Sequence, residues 1–282
     1  MDGTSAEPWP APAKLNLFLH VLGRRPDGYH ELQTAFQFVD LCDELRFEPR
    51  ADGRILRISG PVEVSAESDL VVRAADELRR VTGHSGGVSI AVEKRIPLQG
   101  GLGGGSSDAA TTLVALNRLW RSGLVPAEIA RIGLSLGADV PVFVHGLAAF
   151  AEGVGERLTP IEPPETDYVI VHPGVGVGTA EVFQASELTR NSAAITIRAF
   201  LQGGGRNDCE AVVRSRFPAV AQALDWLGQF GRARMTGTGA CVFVAVESRA
   251  RAEEICRTIP PGWRGFACRG RNRSPLLERA AT

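Results

Sequence analysis

Lysine is almost missing from this chain. Of 31 basic residues among 282, only Lys14 and Lys94 are lysines, and the rest are arginines. Two compact ammonium groups kept in such a chain mark places where a planar guanidinium would not serve. Excess charge of either sign is missing too. The formal net charge is -1, so no global field favours nucleic acid or an anionic membrane, and neither is expected as a partner. No run of 18 apolar residues occurs, which excludes a membrane-spanning helix. The first ten residues lack a basic-then-apolar leader, so a cytoplasmic protein is expected. The five cysteines, at 42, 209, 241, 256 and 268, are odd in number and scattered, with no CxxC pair. That excludes a zinc ribbon and a disulfide framework, and no cluster of metal-ligating side chains is expected.

Glycine is what the chain has in plenty. It accounts for 32 residues, about 11% against a usual level of roughly 7%. The remaining balance, 44% hydrophobic and 22% charged, is that of a globular protein with one large domain or two ordinary ones.

Along the chain, residues 1–10 read as a loose tail. Residues 13–22 alternate as a half-buried strand, with Leu15, Leu17, Leu19 and Val21 on one face and Lys14, Asn16, Phe18 and His20 on the other. Strand-like stretches follow near 32–39, 43–48, 54–59 and 87–96, with a helix between Ser68 and Gly83. A glycine-rich loop runs into a helix at about 106–122, and Pro126 opens another that ends near Gly137. Residues 140–144 read as a very apolar strand, and His145 as a sheet residue. The Pro- and acid-rich stretch 158–167 reads as a linker. Beyond it lie a strand DYVIVHP, helical patterns near 179–188, 194–202 and 207–229, a glycine-bearing strand pair, a helix near 248–258 and a last strand near 263–268. Strands and helices mix without strict alternation, which predicts an α+β protein in two lobes.

The strongest chemical signal is Pro97-Leu98-Gln99-Gly100-Gly101-Leu102-Gly103-Gly104-Gly105-Ser106-Ser107. Five glycines in six positions let the backbone approach a bulky anion, and the following helix N-terminus offers unpaired N–H groups and a positive dipole end. It is no Walker A loop, since no lysine follows the glycines. It is no dinucleotide fingerprint either, because Ser106 stands where the last glycine would be. Asp139, in Gly137-Ala138-Asp139-Val140-Pro141, precedes an apolar run and needs a cationic or N–H partner; taken alone it is better read as a structural capping or turn carboxylate. Gly237-Thr238-Gly239-Ala240 reads alone as a hairpin turn or as a phosphate contact. Tyr29 and His30 at a loop tip read either as a hairpin or as a base-reading pair. Cys241 reads as a small core residue, and Lys94 as a strand-face residue without a function.

An early APAKLNLFL strand, a central PLQGGLGGGSSDAA loop and a late TGTGACVF segment, in that order, resemble the GHMP small-molecule kinases. APAKLNLFLHVLGRRPDGYHEL, GADVPVFVHGLAAFAEGVGE, HPGVGVGT and RNDCEAVVRSRFP resemble the members that serve the non-mevalonate isoprenoid route. Together these segments span about residues 11–268. The resemblance implies an N-terminal ATP-binding lobe of ribosomal-protein-S5-like topology (1–157) and a ferredoxin-like C-terminal lobe (158–282), working as a monomer or weak homodimer. It implies transfer of the ATP γ-phosphate, with Mg2+, to the 2-hydroxyl of diphosphocytidyl-methylerythritol. By motif position, Pro97–Ser107 would wrap the ATP phosphates, Asp139 would be the base and Lys14 would neutralise charge beside it. Asn16 and Thr179 would contact the substrate. Tyr29 and Phe183 would sandwich the cytosine, with His30 hydrogen-bonded to it. Gln99 stands where such loops often carry another glycine. A homoserine, sugar or mevalonate kinase of the same fold would not need the Tyr-His pair, and a mere nucleotide sensor would not need Lys14 with Asp139.

Overall fold

The computed structural model describes residues 7–281. Two very long strands, β1 (Trp9–Arg24) and β2 (His30–Arg50), form the spine as an antiparallel pair. The Pro-Asp-Gly turn between them confines the break to a few residues. Then come β3 (Ile55–Ser59), α1 (Leu70–Thr82), β4 (Gly87–Glu93), α2 (Gly104–Leu119), α3 (Pro126–Leu136), α4 (Val140–His145), β5 (Ala149–Gly153) and β6 (Arg157–Pro160). The second half holds β7 (Asp167–His172), α5 (Thr179–Gln184), α6 (Ile197–Leu201), α7 (Glu210–Arg216), α8 (Pro218–Leu227), β8 (Arg234–Met235), β9 (Val242–Val246), α9 (Arg249–Cys256), β10 (Arg264–Arg271) and α10 (Pro275–Ala281). Among the described residues, no helix is long and apolar enough to cross a membrane.

The sheet runs β3-β4-β2-β10-β7-β9-β8, with β1 and β5 also on β2 and β6 on β5. Among the strands of the described residues, β3 and β4 pair parallel, joined through α1, and the other strand pairings are antiparallel; a single parallel bridge joins Leu19 to Asn207. The strand order β10-β7-β9-β8, with helices after β7 and between β9 and β10, is the ferredoxin-like arrangement expected of the second lobe. One core lies under α1–α4 on the first lobe, one under α7–α9 on the second, and a third, with Leu15, Phe18, Val39, Ile170 and Phe243, lies between. The last helix, α10, returns to the first lobe, where Leu276 joins its core.

Several local expectations change. Residues 140–145 are a helix, not a strand. The segment is apolar all round and buried from Val140 to Val144, so it carries no period to read, and Pro141 suits a first helical turn. His145 therefore ends a helix rather than lying in a sheet. Of the expected tail, Trp9 and Pro10 already belong to β1, while residues 1–6 lie outside the described residues. Residues 158–160 of the expected linker pair, as part of β6, with β5, and the helical pattern 207–229 breaks at Phe217, before Pro218. Register shifts between Pro12 and Lys14 and between Asn16 and Phe18 bracket the Lys14–Asn16 pair. The second shift turns Phe18 away from the polar face and into the same core as Leu15 and Leu17.

The joint between the lobes is made largely of backbone. Leu19 N donates to Arg206 O at 2.9 Å and Asp208 N to Leu19 O at 2.8 Å. The fully buried Asp208 carboxylate accepts from Val21 N at 2.8 Å and from Arg206 Nε at 2.8 Å. Within the second lobe, Asn207 Nδ2 donates to both Met235 O and Gly237 O at 2.8 Å and holds the segment that meets Leu19. Asp208→Ala should therefore strand a buried N–H and lower stability by about 1–3 kcal/mol. Denaturant unfolding checks this, and an unchanged midpoint would refute the strut.

Candidate active site

A cleft of about 570 Å³ opens where the lobes meet. Its walls include Lys14, Asn16, the loop Pro97–Ser106, Asp139, Thr179, Phe183 and Thr238. These come from five separate segments of the chain, so the fold has brought most of the candidates into one place.

Lys14 sits on β1 at 2% exposure. Its Nζ donates to Asn16 Oδ1 at 2.5 Å and to Gly101 O at 2.9 Å, and it lies 3.5 Å from Asp139 Oδ2. Phe36 covers it, with the ring centroid 5.5 Å from Nζ. Burial lowers the ammonium's pKa, and the Asp139 charge opposes that shift. Asn16 is held in turn, since its Nδ2 donates to Thr34 Oγ1 at 2.9 Å. Asp139 is the residue that starts α4, yet its side chain makes no capping bond. At 33% side-chain exposure it keeps one face toward the cleft.

The glycine loop lies between β4 and α2. Gly101 and Gly103 both have φ of +73. A Cβ on Gly101 would stand 2.2 Å from Thr236 O, and one on Gly103 would stand 2.8 Å from Phe143 Cζ and 3.1 Å from Lys14 Cε. Only glycine satisfies both the turn and the packing. Gln99, the departure noted in the sequence, takes φ +52 and carries the first left-handed turn itself. Its carbonyl accepts from Ala240 N at 3.1 Å and Val177 N at 3.3 Å, so the loop is drawn onto the second lobe. The N-terminus of α2 begins after Gly103 with no side-chain cap, which leaves its first N–H groups for an anion. Ser107 Oγ is buried there without a hydrogen-bond partner. Among the described residues, no group of three or more His, Cys, Asp or Glu side chains could hold a metal ion.

The base-reading candidates are split. Phe183 of α5 lines the cleft, and Thr179 at the start of α5 pairs its hydroxyl with Thr238 at 3.1 Å. His30 stacks on Phe183, with centroids 5.1 Å apart and planes 23° apart. Tyr29 stands at the loop tip, 63% exposed, and does not line the cleft. Cys241 is fully buried core, as its sequence setting suggests.

Two groups escaped the sequence reading. Thr236 Oγ1 accepts from Asn16 N at 2.9 Å and donates to Gly101 O at 3.3 Å, so one hydroxyl stitches β1 to the glycine loop. Its only signal was its place at the head of the TGTG turn. Lys94 is not a functionless strand-face residue. It lies just past β4, with Nζ 2.5 Å from Asp43 Oδ2 and 2.7 Å from Asp108 Oδ2. Asp43 Oδ1 also accepts from Arg95 N at 2.6 Å and Ile96 N at 2.8 Å. One cation thus ties the entry of the loop to α2 beyond its exit. Burial, against the pull of Lys94 and with the help of the Asp43 charge, pushes the Asp108 carboxyl up to about 7.

Comparison with known proteins gives this arrangement a context. The GHMP kinases N terminal domain matches residues 69–147, and the GHMP kinases C terminal domain matches residues 185–261. The 4-diphosphocytidyl-2-C-methyl-D-erythritol kinase of Nitrosococcus oceani is 57% identical over 270 residues, covering 96% of each chain. That of Alkalilimnicola ehrlichii is 58% identical, covering 96% of this chain and 93% of its own. A crystal structure of 4-(cytidine 5'-diphospho)-2C-methyl-D-erythritol kinase superposes with TM-score 0.80 at 34% identity, covering 93% of this chain and 98% of that one. A mevalonate kinase structure, at TM-score 0.67 and 16% identity, shares the fold. The two-lobed architecture expected from the motifs is borne out.

The Lys94 cluster generates a pH prediction. The Asp108 carboxyl is raised in the folded state from an ordinary 3.8 to about 7. Its stabilising contribution is therefore complete below about pH 4 and is lost as pH rises through about 7. The Tm of Asp108→Asn minus that of the wild type should rise with pH over this window. A difference that stays constant from about pH 4 to 8 would refute the assignment.

Proposed function

We infer the reaction from one premise: the chain belongs to the GHMP kinase family and, within it, to the 4-diphosphocytidyl-2-C-methyl-D-erythritol kinases. It is an ATP-dependent small-molecule kinase. It phosphorylates the 2-hydroxyl of 4-diphosphocytidyl-2-C-methyl-D-erythritol and releases ADP. The observation that carries this is 57–58% identity to kinases of that name over almost the whole length of both partners. In keeping with that reaction we place the protein in the cytoplasm, acting as a monomer or weak homodimer, with the two lobes divided near residues 157/158.

The loop Pro97–Ser107 cradles the ATP phosphates with backbone N–H groups and the open N-terminus of α2. The substrate enters from the side of α5, with Thr179 and Asn16 contacting its alcohol half and Tyr29, His30 and Phe183 its base. Asp139 takes the proton of the 2-hydroxyl. The 2-oxygen then bonds to the γ-phosphorus as the bond to the β–γ bridging oxygen breaks, leaving ADP. Phosphoryl transfer asks for in-line placement and charge stabilisation more than for covalent help. Lys14 supplies a fixed positive charge between Asp139 and the glycine loop, and Asn16 aims it. Mg2+ fits the same end of the cleft. Ser107 Oγ, buried without a partner, and Ser106 would hold it, with few protein ligands, as magnesium at phosphate sites usually has. When bound it would neutralise charge on the phosphates.

ADP release across a panel of alcohols tests the reaction; turnover should require the cytidine-diphosphate substrate. Asp139→Asn keeps the shape and removes the proton acceptor, so kcat should fall by about 10²–10⁴ with little change in ATP binding. A variant retaining more than about a third of wild-type kcat would remove Asp139 from the mechanism. Tyr29→Ala should raise KM for the cytidine substrate about 5- to 150-fold, the scale of one base–aromatic stack, and leave KM for ATP unchanged. Equal use of cytidine and uridine forms by the wild type would overturn the base pocket.

A further inference from the structure

One guanidinium holds the base-reading face together. Arg190, on the loop after α5, donates from Nη2 to Phe183 O at 2.9 Å and Ala185 O at 2.6 Å, and from Nη1 to Leu188 O at 3.1 Å. Those bonds fix the end of α5, which presents Phe183. Its Nε donates to His30 Nε2 at 3.1 Å, and the His30 ring lies stacked on Phe183. Arginine has only donors, so His30 Nε2 must be the acceptor. The ring proton then resides on Nδ1, and the described residues give Nδ1 no hydrogen-bond partner. Free imidazole has no such fixed choice between its two nitrogens.

We propose that Arg190 is a positioning residue for base recognition: it locks His30 as the Nδ1–H tautomer, so that the ring offers a fixed donor to N3 of the pyrimidine. Cytosine carries a lone pair at N3 and accepts this bond. Uracil carries a proton there, so two donors would meet and one would be left unsatisfied. The proposal rests on the reading of Tyr29, His30 and Phe183 as the base pocket. The charge setting agrees with it. Burial, then the charges of Arg190 and of Arg24 at the end of β1, lowers the His30 pKa, which favours the neutral ring. The neighbouring acid, Glu31, is engaged by Arg25 and Arg157.

The experiment compares wild type, Arg190→Met and His30→Ala on cytidine- and uridine-diphosphate forms of the substrate between about pH 6 and 8. At pH 8, Arg190→Met should raise KM for the cytidine form about tenfold, the scale of one hydrogen bond. KM for ATP should not move, and the preference for cytidine should shrink. On acidification its KM should recover, because an imidazolium always carries the Nδ1 proton; the wild-type KM should stay flat. A merely structural role for Arg190 would give no such recovery. In the intact wild type, ¹⁵N shifts of His30 read the tautomer directly, with protonated Nδ1 expected, whatever the fate of the variant. A wild type indifferent to the base overturns the pocket itself. A selective wild type with a protonated Nε2, or with an Arg190→Met variant that keeps both its preference and a flat KM, leaves the pocket standing and overturns the role of Arg190.

Discussion

Everything at the centre of this molecule depends on one buried ammonium. Lys14 has three N–H donors, and the structure offers them three acceptors from three segments: Asn16 Oδ1 on its own strand, Gly101 O on the glycine loop and Asp139 at the head of α4. Taking a cation to 2% exposure is costly unless it is paired and hydrogen-bonded. Because the three partners are far apart in sequence, meeting that cost fixes where strand, loop and helix stand. A guanidinium spreads its donors over a plane several ångströms wide and could not sit in this tripod, with Phe36 on one side and the glycine backbone on the other. That is a physical reason for one of the two lysines in an arginine-rich chain.

The second lysine answers a different need. Lys94 faces two carboxylates, Asp43 and Asp108, so its cluster holds more negative than positive charge. Lys14 has one carboxylate partner, and that partner remains one-third exposed. The buried Lys94 charge is thus committed to bracing the two ends of the loop. The Lys14 charge is left with field to spare toward the cleft. An anion entering meets Lys14 and the open N-terminus of α2, whose dipole end is not neutralised by any side-chain cap. The arrangement separates the cation that braces the glycine loop from the cation that faces the cleft.

What could be read from the sequence was what backbone chemistry dictates. Five glycines between a strand and a helix announce an anion loop because no other residue type tolerates those angles and contacts, as Gly101 and Gly103 show. Strand periodicity placed Lys14 beside Asn16, and the TGTG turn read as a strand pair became β8 and β9. What could not be read was what depends on packing from all sides. Residues 140–144 have no polar face, so nothing in them distinguishes a buried helix from a buried strand. Phe18 was misplaced because a bulge is invisible to simple alternation. The work of Lys94 depends on Asp43 and Asp108, 51 and 14 residues away, and that of Arg190 on His30, 160 residues away. No local window contains such pairs.

The lobe joint shows why this long-range frame matters for the chemistry. Phosphoryl transfer is sensitive to placement at the level of about an ångström. The phosphate loop is braced by the first lobe, while the α5 end of the cleft belongs to the second. Their separation is set by short bonds, mostly backbone to backbone: Leu19 to the 206–208 segment, Val21 N to the Asp208 carboxylate, and the Gln99 and Gly100 carbonyls to the amides of Ala240 and Cys241. Backbone contacts carry little rotamer entropy, so they hold a distance more tightly than long side chains would. Of the base-reading candidates only Phe183 lines the cleft; His30 and Arg190 stand behind it, packed on Phe183 and bonded to each other, and Tyr29 lies at the loop tip. The His30–Phe183–Arg190 group shares no hydrogen bond with the Lys14–Asp139 pair, so on the reading proposed above a change in the one need not move the other.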